Sequence, residues 1–164
     1  MIKDNGTKFL IKAVDIQNID QILPLFCQYQ EFYNQKPNQS KNKEFLAKII
    51  NQKEAKFFVA YQDTVAVGFS GIYFSYSSVK AEKIAILNDL FVVENIRKQG
   101  VATKLLKLSV DFLHQENISH IRWCTQKDNL EAQHFYQNLK ANKSDWVHYD
   151  LYLSPKYPKK LKFI

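Results

Sequence analysis

An apolar, β-rich run over residues 84–93 passes through Glu94, Asn95, Ile96, Arg97, Lys98, Gln99 and Gly100 straight into Val101, Leu105, Leu108 and Phe112, which repeat at helical spacing. A strand that feeds a helix across so short a loop restricts the fold sharply. The helix must pack back on the sheet, and the next strand, expected over residues 121–125, returns parallel to the first through a crossover.

The remaining pattern is arranged around this unit. Residues 8–14 read as a first strand. Asp15 or Asn18 then caps a helix carrying Ile19, Ile22, Leu23, Phe26 and Tyr29, with Pro24 either kinking it or marking its first turn. Residues 36–40 form a polar loop, and helical spacing resumes over 43–50. Two strands, 56–62 and 65–76, are separated by Asp63 and Thr64, a hairpin signal. Asp128 with Glu131 predicts a capping box for a helix carrying Ala132, Phe135 and Leu139, and residues 146–153 read as a closing strand. The order is β-α-α-β-β-β-α-β-α-β. It predicts an α/β (α+β) fold with a mixed, mostly antiparallel sheet flanked by helices.

At 164 residues with 46% apolar composition, the chain buries one core, so a single domain over residues 1–154 is expected, followed by a basic tail at 155–164. Its apolar runs fall far short of the roughly 20 residues of a membrane-spanning helix, and the N-terminal stretch lacks a cleavage pattern. A soluble, cytoplasmic protein without a membrane partner follows as an expectation. Cys27 and Cys124 belong to no paired motif and read as reduced core thiols. His114, His120, His134 and His148 are scattered, so no metal is expected. A net charge of +7 suits nucleic acid, an anionic surface or a phosphate-rich cofactor, and for the tail lysines Lys156, Lys159, Lys160 and Lys162 ordinary solvation is the preferred reading.

The loop before the third helix carries the chemistry. The first N–H groups of a helix lack partners within it and lie at the positive end of its dipole, which makes them a ready site for a pyrophosphate. Gly100 would let the backbone approach phosphate oxygens, Ala102 keeps the next side chain small, and Arg97 and Lys98 add positive charge. A Rossmann fingerprint needs three glycines, and a P-loop needs Gly-Lys followed by Ser or Thr. Here Gly100 is followed by Val101 and Ala102, so neither applies.

Arg97-x-x-Gly100-x-Ala102, after the apolar triplet Leu90, Phe91 and Val92, resembles the hallmark of the GNAT superfamily of acetyl-CoA-dependent N-acetyltransferases. Asn129-x-x-Ala132-x-x-Phe135-Tyr136 is similar to that family's second cofactor-binding block, in the right order. The resemblance extends over residues 8–153. Glu94 stands where many relatives carry proline.

The resemblance implies acetyl-CoA as cofactor, coenzyme A as product, and a role for each matching position. Main-chain groups of Leu90, Phe91 and Val92 would hold the pantetheine arm. Arg97, Lys98, Gln99, Gly100, Val101, Ala102 and Thr103 would hold the pyrophosphate. Asn129 would contact the pantetheine or substrate end, and Tyr136 would protonate the departing thiolate. Asp89 is the nearest candidate for the base that deprotonates the amine, with a structural role as the equal alternative. Similar spermidine/spermine acetyltransferases carry glutamate where this chain has Asn88, which weakens a polyamine assignment. Tyr29, Glu31, Phe32 and Tyr33, with Asn88 and Trp146, are the acceptor-pocket candidates.

The function expected is acetyl transfer to a primary amine of a small molecule, by direct attack in a ternary complex. Acetylation of a protein lysine or N-terminus is the alternative on the same scaffold, and a non-catalytic nucleic-acid-binding module the alternative from another class. A homodimer is compatible with the exposed edge of the closing strand.

Overall fold

The computed structural model describes residues 9–151, which fall into two compact units divided between Cys124 and Thr125. The first contains the whole sheet. Its strands are β1 (Phe9–Ala13), β2 (Ala55–Gln62), β3 (Val65–Ser77), β4 (Glu82–Val92) and β5 (Ile121–Arg122), and its helices are α1 (Leu23–Phe32), α2 (Gln39–Asn51) and α3 (Val101–Gln115).

Spatial order follows chain order. β1 to β4 form an antiparallel meander, and β5 joins β4 in parallel after the α3 crossover. Pro24 sits in the first turn of α1, the one helical position where its missing N–H costs nothing, so it marks a start and no kink. Asn38 caps α2, its side chain accepting from the Lys41 N–H at 3.0 Å, so this helix begins earlier than residue 43.

The two faces of the sheet are covered differently. Phe57, Val59 and Phe69 join Ile22, Leu25, Phe26, Leu46 and Ile49 in the core beneath α1 and α2. Each phenylalanine buried there contributes roughly 1.5–3 kcal/mol. On the opposite face Phe112 of α3 packs against Phe58 and Phe74, with ring centroids 5.8 and 6.5 Å apart. Ser70 and Ser109, both fully buried, satisfy each other at 3.0 Å and fix α3 against β3.

Register breaks once in the β3/β4 ladder. Gly71 pairs with Asp89 and Ile72 with Leu87, which leaves Asn88 as the extra residue of a β-bulge. Asp89 therefore turns toward the α1 face, into the core, while Asn88 is exposed.

The second unit contains α4 (Leu130–Asn138). Its cap is Asn129, whose Oδ1 accepts from the Ala132 N–H at 3.1 Å, one position later than the Asp128 cap expected. Residues 142–151 form no strand, and Tyr152 and Leu153 lie outside the described residues. Alternation of Trp146, His148 and Asp150 with Val147, Tyr149 and Leu151 signals a propensity only. A strand exists where a neighbouring edge supplies hydrogen bonds, and none pairs with this segment among the described residues. The strand edge compatible with a homodimer is therefore not formed by the described residues 146–151, and the basic tail at 155–164 lies outside the described residues. No helix among the described residues is long and apolar enough to cross a membrane.

Candidate active site

The loop between β4 and α3 is held open by its backbone. Lys98 and Gly100 both adopt left-handed conformations, with φ of 62° and 82°. Gly100 is the N-cap of α3, and no side chain caps the helix. Nothing lies within 4 Å of where a Cβ on Gly100 would be, so glycine is required there by its positive φ and not by crowding. The first-turn N–H groups of α3 point out of an uncapped, positively polarised end, which fits an anion with several oxygens. Arg97 reaches back. Its Nε donates to the Val92 carbonyl at 3.1 Å, and its guanidinium lies 5.8 Å from the centroid of the Phe32 ring, so much of this side chain ties the loop to β4 and to the end of α1. Glu94 opens a short 3-10 turn, a first position where proline is equally accepted, so the departure from the family pattern carries no conformational cost.

Beside this loop the sheet splits. β4 and β5 pair only through Ala85 with Ile121 and Ile86 with Arg122, while β4 continues to Val92. Leu90, Phe91 and Val92 therefore keep a strand edge beyond the last β5 partner. Such an edge offers main-chain donors and acceptors to an extended ligand.

On the α1 face lies a polar cluster inside an apolar core. Asp89 is 2% exposed. Its Oδ1 accepts from Asn88 Nδ2 at 3.2 Å, whereas Oδ2 accepts no well-formed hydrogen bond among the described residues. Desolvation pushes the carboxyl up to about 7, against the opposing pull of the Tyr73 and Tyr29 hydroxyls and the Asn88 amide. Burial, assisted by the facing carboxyl, also raises the Tyr73 phenol. Tyr29 places its hydroxyl 3.2 Å from the Asn88 carbonyl, on the bulge itself. Its ring is fixed edge-on by Phe69, Phe91 and Tyr33 at 5.7, 5.9 and 5.1 Å, and Phe32 continues the wall through Tyr33 at 5.1 Å. Glu31 is exposed on the same helix.

Tyr73 and Gly71 escaped the sequence reading. An isolated glycine inside a strand pattern signals a bulge or a close approach, and that signal was available.

In the second unit, Asn129 spends its side-chain oxygen on the α4 cap, and Tyr136 is half-buried with its ring 5.3 Å from that of Phe135. Trp146 is exposed, its main-chain N–H donating to Ser144 Oγ at 3.0 Å. Cys124 is exposed and Cys27 half-buried, which corrects the expectation that both are core thiols. Asn42 Nδ2, itself in reciprocal amide bonds with Gln30, lies 3.6 Å from the Cys27 sulfur. Among the described residues no group of three His, Cys, Asp or Glu side chains converges on a point.

Residues 19–140 match the model of the acetyltransferase (GNAT) family. The chain belongs to that family. The N-acetyltransferase YhfO of Bacillus subtilis (strain 168), itself uncharacterized, is 34% identical over 142 residues, covering 86% of this chain and 95% of that one. A thialysine N-epsilon-acetyltransferase of Caenorhabditis elegans is 23% identical over 131 residues, covering 80% of this chain and 81% of the relative. The crystal structure of a probable acetyltransferase superposes with a TM-score of 0.79 at 30% identity, covering 88% of this chain and 98% of that one. This GNAT chain is an acyl-CoA-dependent N-acetyltransferase, built on the mixed, mostly antiparallel sheet its sequence predicts. Within the GNAT fold its open β4 edge and uncapped α3 fit the two main-chain demands of such a cofactor, an extended arm and a diphosphate.

Proposed function

We propose that the enzyme transfers the acetyl group of acetyl-CoA to a primary amine of a small molecule, by direct attack in a ternary complex. The observation that carries this reading is the buried Asp89 carboxyl at the β4 bulge, beside a strand edge unpaired among the described residues and beneath the aromatic end of α1. Its support from relatives is the thialysine acetyltransferase, whose name describes a small amine acceptor.

When bound, acetyl-CoA supplies the activated acetyl group. Leu90, Phe91 and Val92 would hold the arm through their main chain, and a backbone N–H there would polarise the thioester carbonyl. Gly100, Val101, Ala102 and Thr103, with Lys98 and Gln99, hold the diphosphate, and Arg97 fixes the loop. An alkyl ammonium of pKa near ~10 must lose a proton before it can attack, and a carboxyl poised at about 7 is matched to accept it near neutral pH. Tyr29, Glu31, Phe32, Tyr33 and Asn88 frame the acceptor. Aromatic faces and one exposed carboxylate suit a cationic amine. Asn129 would contact the cofactor's reactive end, and Tyr136 would supply the proton for the leaving sulfur. These last two roles rest on the family motif that both residues match.

The test is coenzyme A release from acetyl-CoA across a panel of polyamines, amino acids, aminoglycosides and lysine-containing peptides. Turnover of small amines with none of peptides is the expected result. Turnover of peptides alone would transfer the reading to protein acetylation.

A further inference from the structure

The Arg97 side chain runs from the β4–α3 loop to the aromatic end of α1. Its Nε donates to the Val92 carbonyl at 3.1 Å, and the guanidinium beyond that bond lies 5.8 Å from the centroid of the Phe32 ring. One side chain thus touches the loop, the end of β4 and the last residue of α1.

Phe32 is held less firmly than its neighbours in that aromatic wall. Tyr29 is fixed by three rings and by its hydrogen bond to the bulge carbonyl of Asn88. Phe32 closes α1 and is 49% exposed, so core packing does little to orient it. Its ring meets Tyr33 edge-on at 5.1 Å, and the second group that orients it is the Arg97 guanidinium. A cation over an aromatic face is attracted weakly in water and more strongly where water is excluded.

The other end of Arg97 rests on a loop that an anion can stiffen. The backbone is extended at Arg97 and left-handed at Lys98 and Gly100. Two of the bonds that close the loop are long, Arg97 N–H to the Glu94 carbonyl at 3.2 Å and Gln99 Nε2 to the Asn95 carbonyl at 3.4 Å. A diphosphate that accepts from the first N–H groups of α3 adds fixed contacts directly after this stretch.

We propose that Arg97 is a positioning residue that joins the two substrate sites: a diphosphate on the loop steadies Arg97, Arg97 steadies Phe32, and the acceptor wall is thereby set for the amine. This rests on the acetyl-transfer reading above. Coupling between two binding events is reciprocal, so a bound amine tightens the loop on the cofactor by the same factor.

The test places 4-fluorophenylalanine at position 32 and reads its fluorine-19 resonance. Coenzyme A should shift and sharpen that resonance, and the same protein carrying Arg97→Met, saturated with coenzyme A, should show a clearly smaller change. No response in the first protein, or an equal one in the second, would overturn the proposal, since a ring touched directly by the cofactor responds without Arg97. Should Arg97→Met fail to fold or to bind, ADP serves as a second probe, because it carries the diphosphate without the pantetheine arm. It should move the resonance in the same direction as coenzyme A, and an unmoved resonance in excess ADP counts against the coupling.

Phe32→Leu keeps apolar bulk and removes the ring. Across the amine panel above it should raise the acceptor's KM about 5- to 10-fold with a smaller effect on kcat, and Phe32→Tyr, which keeps the ring, should restore it. A loss carried by kcat alone would sink the idea. Calorimetry of the wild type with coenzyme A separates the failures. No uptake removes the acetyl-transfer reading and the coupling with it, whereas uptake beside an unmoved resonance removes the coupling alone.

Discussion

The Asp89 carboxyl occupies the space that a side chain on Gly71 would need: a Cβ there would lie 2.4 Å from Asp89 Oδ2 and 2.6 Å from Phe57 Cε1. Two paired residues of β3 and β4 thus share one volume, and the glycine is the condition for the acid. Gly71→Ala should destabilise the protein by about 1–3 kcal/mol, read as a lowered midpoint in urea unfolding, because neither a buried carboxylate nor a packed ring yields cheaply.

Burial makes Asp89 a cost to stability at neutral pH. Its folded pKa, about 7, lies above the ordinary 3.8, so the native state holds a proton that the unfolded chain has released between those values. Stability from this group is therefore complete below about pH 4 and is lost as pH rises through about 7. Asp89→Asn should flatten that slope and raise unfolding free energy at pH 8 by a few kcal/mol, about 4 at most, measured by denaturant titration at a series of pH values.

In the proposed catalysis the same titration has the opposite sign, since a base acts only when deprotonated. The kcat/KM of the wild type should rise with pH through about 7, and Asp89→Asn should remove that limb and lower the rate about 10²- to 10⁴-fold while acetyl-CoA affinity by calorimetry is retained. A profile with no inflection near 7 would exclude Asp89.

Gly100→Ala tests the loop. An alanine forced to φ near 82° costs about 1–2 kcal/mol, and relaxation of that strain would turn the α3 N–H groups away from the diphosphate they are proposed to hold. Coenzyme A should bind more weakly, by about tenfold, in calorimetry.

Tyr136→Phe should lower turnover at saturating acetyl-CoA and leave its affinity nearly unchanged, since only a proton donor is removed. Stopped-flow release of coenzyme A measures the first quantity. An unaltered rate would take Tyr136 out of the mechanism.

Long periodic segments were legible because periodicity is imposed by burial. The strand–loop–helix unit around Gly100 and the two-layer cover of the sheet follow from it directly. Features that depend on a partner elsewhere were not. Whether Asp128 or Asn129 caps α4 turns on one hydrogen bond, and both residues are good caps. The apolar alternation over residues 146–151 needs an edge to pair with, which no local pattern guarantees. Asn88 becomes a bulge only through the offset of β3 against β4, and that offset is what buries Asp89 and exposes its neighbour. The candidate base was visible in the sequence, whereas its enclosure was not, because enclosure comes from Gly71, Phe57, Tyr29 and Tyr73, spread over three other elements.

The short β4/β5 ladder has a consequence for selectivity. A guest that completes β4 is gripped along its length by peptide groups, which are blind to whatever acyl unit the guest carries at its tip. Longer thioesters should therefore dock about as tightly as the acetyl form and be discriminated only in the speed with which they react.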